Sequence, residues 1–142
     1  MPNDLHNEIK CSRALAPVVV TDGTPQVSTI LDTALFGSNE LVVVLGALAD
    51  LDATWVVLLE EGDNSGLSDA AAVADADLLG VEGAPSFIFS DDNKTYKLGY
   101  KGKKRYLRAT IDDVTTNTGN APMAAIWVQS HPRSGPQSAQ LV

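Results

Sequence analysis

The chain has 142 residues, 44% of them apolar, and a formal net charge of −8; this is one ordinary domain, able to bury roughly two-thirds of its unfolded surface. Its single cysteine, Cys11, excludes an intramolecular disulfide, so the fold must stand on its core. A pI near 4.5 argues against general binding of nucleic acid. The longest apolar run, Leu41 to Ala49, contains Gly46 and is too short for a membrane-spanning helix.

In chain order, Met1 to Ala16 is polar and irregular and reads as an N-terminal arm. It lacks the charged and apolar regions of a secretory leader, so the chain is expected to work without crossing a membrane. Pro17 to Thr21 is β-branched and runs into Asp22-Gly23, a turn pair. Gln26 to Leu31 alternates, with Val27, Thr29 and Leu31 on one face. Glu40 to Ala47 and Thr54 to Glu60 are dense in Val and Leu on both faces, which predicts interior strands or a covering second layer, with Trp55 in the core. The loop Gly62 to Gly66 follows. Ser68-Asp69 then predicts a helix N-cap for Ala70 to Leu79, closed by Gly80. Strand character returns at Ser86 to Phe89. Thr95 to Tyr100 and Lys104 to Ile111 flank Lys101-Gly102 and predict a hairpin. In its second arm Lys104, Tyr106, Arg108 and Thr110 share one face, and Arg105, Leu107, Ala109 and Ile111 the other. Asn117 to Asn120 turns the chain into a last strand, Met123 to Ser130, carrying Trp127. His131 to Val142 is broken by Pro and Gly and reads as a C-terminal arm.

The pattern predicts an all-β jelly roll or related Greek-key sandwich of about eight strands, spanning residues 17–130, with one short helix and two extended arms. An up-and-down barrel is the second architecture.

Charge is segregated along this plan. Between Arg13 and Lys94 there is no basic residue, yet fourteen of the eighteen carboxylates lie there. Lys94 to Arg108 then holds seven of the ten Lys and Arg residues and no acid. Patches of opposite sign would steer and orient partners, including copies of the same protein. The alternative is a basic hairpin folded back over acidic strands of its own molecule.

Little points to catalysis. His6 and His131 sit in the two tails, and no Gly-x-Ser-x-Gly elbow exists. His131 is expected to cap or pack the last strand, and Cys11 to be a plain thiol. Glu60 and Asp63 read as a strand end entering a solvated loop, and the chain has few aromatics to line a sugar cleft. Glu61, Asp63, Asn64, Ser65 and Asp69 are hard oxygen donors for Ca²⁺, but not at EF-hand spacing; a solvated loop is the simpler reading. There is no zinc-type cluster. Gly99 to Lys104 joins glycines and lysines without the strand–helix setting of a phosphate loop. Tyr96, Tyr100 and Tyr106 beside those cations could stack bases, yet they also fit cross-strand pairs. No catalytic residue, metal or cofactor is expected.

The runs Leu58 to Gly80, Lys97 to Arg108, and Gly119-Asn-Ala-Pro with His131-Pro-Arg133 resemble a family of small head proteins of tailed bacteriophages, over roughly residues 13 to 136. Within it, the similarity is to capsid decoration, or cement, proteins with a jelly-roll fold, as in short-tailed phages of the Bordetella phage type. The resemblance implies a virion structural protein, not an enzyme, that is made in the bacterial cytoplasm and binds the outside of the capsid. It also implies a homodimer or trimer with the major capsid protein and itself as partners, and neither nucleic acid nor membrane. Lys101, Lys103, Lys104, Arg105, Arg108 and Arg133 are the expected partner-binding residues. A surface glycan-binding jelly roll and a tail-associated structural protein are the alternatives.

Overall fold

Strands dominate the computed structural model, which describes residues 4–82 and 86–137. In chain order they are β1 Ile9–Val20, β2 Gln26–Val27, β3 Leu31–Asp32, β4 Phe36–Leu45, β5 Thr54–Gly62, β6 Ala71–Ala72, β7 Leu78–Leu79, β8 Phe87–Ile88, β9 Thr95–Tyr100, β10 Tyr106–Asp113 and β11 Ala121–Pro132. All pairings are antiparallel. One sheet has the order β1-β11-β4-β9-β7; the other runs β2-β10-β5-β6, with β3 also on β10 and β8 on β5. The protein is therefore a two-sheet β-sandwich.

Period-two alternation builds the core between the sheets. Leu41, Val43 and Leu45 of β4, Trp55, Val57 and Leu59 of β5, Leu107, Ala109 and Ile111 of β10, and Met123, Ala125 and Trp127 of β11 all point inward and are buried. Trp55 stacks on Phe87 at 6.1 Å between ring centroids. Two adjacent residues link the layers: Ser28 N–H donates to the Ala109 carbonyl in one sheet, and Thr29 N–H to the Ala14 carbonyl in the other.

Several elements differ from the sequence reading, each for a physical reason. Ile9 to Ala16 is not an irregular arm, because Ile9–Val20 pairs along β11. Its edge position leaves Lys10, Cys11, Ser12 and Arg13 partly or fully exposed, which hides the strand pattern. Residues 1–3 of that arm, and 138–142 of the C-terminal one, lie outside the described residues. Ala70 to Leu79 is not a helix. It forms β6, a single 3-10 turn over Asp75–Asp77, and β7. The expected cap, Asp69, instead accepts the N–H groups of Asp63 and Asn64, and Val73 N–H donates to the Leu59 carbonyl of β5. Short helices are marginal alone, and these sheet contacts win.

Thr95–Tyr100 and the strand after it do not form a hairpin. β9 pairs with β4 and β10 with β5, in different sheets, so Lys101 to Arg105 is a corner crossing the end of the sandwich. Gln26 to Leu31 is split into β2 and β3 by the cross-sheet residues Ser28 and Thr29. Finally, the outward apolar residues of the central strands, among them Val44, Leu58 and Ile126, remain exposed. β4 and β5 are interior strands as expected, each with one face on the core and the other toward solvent.

Candidate functional site

The register defines two ends. β4 and β11 bring Phe36 and Pro132 together at one end, and Leu45 and Met123 together at the other. The Lys101–Arg105 corner lies at the Phe36 end, because β9 finishes opposite Asn39 and β10 begins opposite Asp32.

Tyr100 holds this corner in shape. Its Oη accepts the Lys104 N–H at 2.9 Å and donates to the Glu61 carboxylate of β5. Burial, and then that carboxylate, push the phenol well above its usual pKa, so it stays a donor. Gly102 lies flat on the Tyr100 ring: a Cβ there would sit 2.5 Å from Oη and 2.6 Å from ring carbons. On the other side, Thr33 N–H donates to the Arg105 carbonyl at 2.9 Å, and its hydroxyl to the same carbonyl at 3.0 Å.

The corner walls a cavity of about 480 Å³ lined by Lys101, Lys103, Lys104, Arg105 and Arg133 together with Thr33, Phe36, Asn39 and Tyr100. That volume falls in the range of ordinary ligand pockets, about 300–1,000 Å³. Among the described residues no carboxylate lines it. Five of the six expected partner-binding residues thus meet in one place. Arg108 does not. It faces outward from β10 and pairs with Glu60 across the strand at 2.8 Å.

The cations divide by what they already hold. Lys104 pairs with Asp63. Arg105 forms a two-pronged bond with Asp32, at 3.0 and 2.9 Å, and lies 5.1 Å from the Tyr106 ring centroid. That bond holds the Asp32 carboxyl below the usual range. Lys104, Arg105 and Arg108 therefore follow the alternative in which the basic segment folds over acids of its own molecule. Lys101, Lys103 and Arg133 have no ion pair among the described residues. Asn39 also lines the cavity, its Oδ1 accepting from the buried Gln129. Lys10 sits 5.9 Å from the Phe36 ring centroid and adds positive charge beside that wall.

The Leu45 end is the opposite. Hydrogen bonds join the Gly46–Ala53 loop to Asp92, Asn120 and Thr118, and Thr54 to Asp113. Asp50, Asp52, Asp91, Asp92, Asp112 and Asp113 gather there, with Lys94 as a lone nearby cation already paired to Asp91 at 2.9 Å. Asp50 accepts the N–H groups of Thr118 and Asp52, which keep its carboxyl below the usual range. Between Asp50 and Asp52, Leu51 is 73% exposed.

Other residues singled out in the sequence fall elsewhere. His131, next to last in β11, has a φ of 54°, and its Nδ1 lies 2.9 Å from Ser38 Oγ and 3.0 Å from Ser130 Oγ. Cys11 is exposed on β1. In the acidic loop, both Asp69 oxygens accept backbone N–H groups while Asp63 is paired to Lys104. Sequence reasoning missed Thr33, Phe36 and Asn39, because no spacing announces that β4 starts beside the corner. No protein-family model, curated protein or solved structure matches this chain.

Proposed function

We propose that this chain is a structural protein of a phage virion, a small sandwich that binds the outside of the capsid and ties neighbouring subunits together. The observation that carries this reading is the difference in charge between the two ends: at one, Lys101, Lys103 and Arg133 line a cavity without an ion pair among the described residues; at the other, carboxylates gather around one paired lysine. Such a molecule meets a lattice of partners in one preferred orientation. The similarity of the Leu58–Gly80 and Lys97–Arg108 runs to small phage head proteins supports the same reading. The cavity cations are its docking residues, toward acidic surface of the capsid protein or of a sister copy. Attachment needs no turnover, only many weak linked contacts. The glycan-binding alternative would use the Asp63–Asp69 loop, whose carboxylates are already engaged internally.

Cryo-electron microscopy of the particle tests this directly. Many copies at repeating sites on the head are expected, and fewer when Lys101, Lys103 and Arg133 are changed to Glu. A few copies at a tail or vertex would replace the cement role with a tail-associated one. Absence from the particle would end the virion reading.

A further inference from the structure

We infer that the cavity at the Phe36 end receives the Asp50-Leu51-Asp52 turn of a second copy, so that molecules associate head to tail. The inference concerns the chain by itself and does not depend on the virion reading.

On the receiving side, two of the five lining cations, Lys104 and Arg105, hold the chain's own Asp63 and Asp32. Lys101, Lys103 and Arg133 converge on the cavity without an ion pair among the described residues. Phe36 adds an apolar wall. The inserted side has the matching chemistry in the matching order. Two carboxylates flank an aliphatic side chain that is 73% exposed, and the turn is fixed by bonds from Asp50 to Asp52 and Thr118. Leu51 would lie on Phe36 while the Asp52 carboxylate meets the ammonium and guanidinium groups, and Asp50, whose two oxygens accept from Asp52 and Thr118, holds the turn in shape. The carboxylates of the receiving end are engaged within the chain: Asp32 by Arg105, Asp63 by Lys104, Glu61 by Tyr100 and Asp69 by backbone N–H groups.

Donor turn and receiving cavity lie at opposite ends of the sandwich, so the contact is heterologous. One copy's turn in the next copy's cavity leaves a turn and a cavity free, and association propagates instead of closing on a pair. A single turn in a cavity is at the small end of protein interfaces, so the free protein should associate weakly, with strong dependence on concentration. Between exposed charges the attraction must also fade with salt, as the Debye length drops from about 10 Å at 0.1 M to about 3 Å at 1 M.

Two variants and their mixture provide the test, by analytical ultracentrifugation of the purified chain. One is Lys101→Gln, Lys103→Gln, Arg133→Gln; the other is Leu51→Ser, Asp52→Ser, which spares Asp50 and its local bonds. Unchanged circular dichroism and melting temperature establish that both are folded. The wild type is expected to gain mass with concentration and lose it in high salt. Each variant alone should remain monomeric, and an equimolar mixture should stop at a dimer, because only one turn and one cavity can still meet. A wild type that is monomeric throughout would overturn the inference. So would association that survives either variant, or a mixture as monomeric as its parts. A failure here with normal occupancy on phage heads would leave the virion reading intact.

Discussion

Tyr100 spends its hydroxyl on both neighbours at once, donating to Glu61 and accepting from Lys104. Tyr100→Phe removes an acceptor from one and a donor from the other. It should cost about 1–3 kcal/mol in urea unfolding, the range for buried polar groups left unpaired, and should loosen the corner that walls the cavity. Gly102→Ala should have a similar effect, since the added methyl meets the ring. Glu82 gives a prediction of opposite sign. Burial raises its carboxyl pKa, although it accepts the Leu59 N–H. A raised carboxyl binds its proton more tightly in the folded state, so it favours folding at acid pH and loses that contribution as pH rises through its folded pKa. Glu82→Gln keeps an acceptor without the charge and should be at least as stable as wild type at neutral pH. Glu82→Ala removes the acceptor and should be less stable. A ranking of Gln below Ala in thermal melts would refute this account. The Asp32 and Asp91 carboxyls, held low by Arg105 and Lys94, work the other way: their stabilisation is present above the unfolded carboxylate pKa and disappears as pH falls through the folded one.

Strands carry the same argument one level up. Leu107 in β10 is wholly buried among residues of both sheets, and Leu107→Ala should cost about 2–5 kcal/mol. The pair Arg108–Glu60, on the outer face between β10 and β5, should show a coupling of only about 0.2–1 kcal/mol in a double-mutant cycle. The inward set of β10 was legible because Leu107, Ala109 and Ile111 alternate with polar neighbours, and β9 was legible from Thr95 to Tyr100. Connectivity was not. Lys101-Gly102 has hairpin chemistry, yet the choice between turning within a sheet and crossing to the next depends on β4 and β5, which are distant in sequence. β1 was concealed because edge strands tolerate Lys10 and Arg13 on their open side. The helix expected after Ser68-Asp69 failed because Asp69 closes its own loop. The cations of the site were visible as residue types, whereas Phe36, Asn39 and Thr33 became part of it through topology alone.

At the scale of the molecule, the split between paired and unpaired cations separates stability from docking. Charge reversal at Lys104, Arg105 and Arg108 places like charges against Asp63, Asp32 and Glu60 and should lower the melting temperature. Reversal at Lys101, Lys103 and Arg133 should leave it nearly unchanged, because no ion pair among the described residues is lost. Equal effects of the two sets would show that the cavity cations are structural. The Ser28-Thr29 dipeptide has a bearing on how such a molecule comes apart. Its two successive amides belong to different sheets, so the layers cannot part there without breaking one of these two backbone bonds. Whichever of Ser28 and Thr29 exchanges its amide hydrogen first should then reveal which sheet lets go of the dipeptide as the sandwich opens, like the side of a zip that slips its pull.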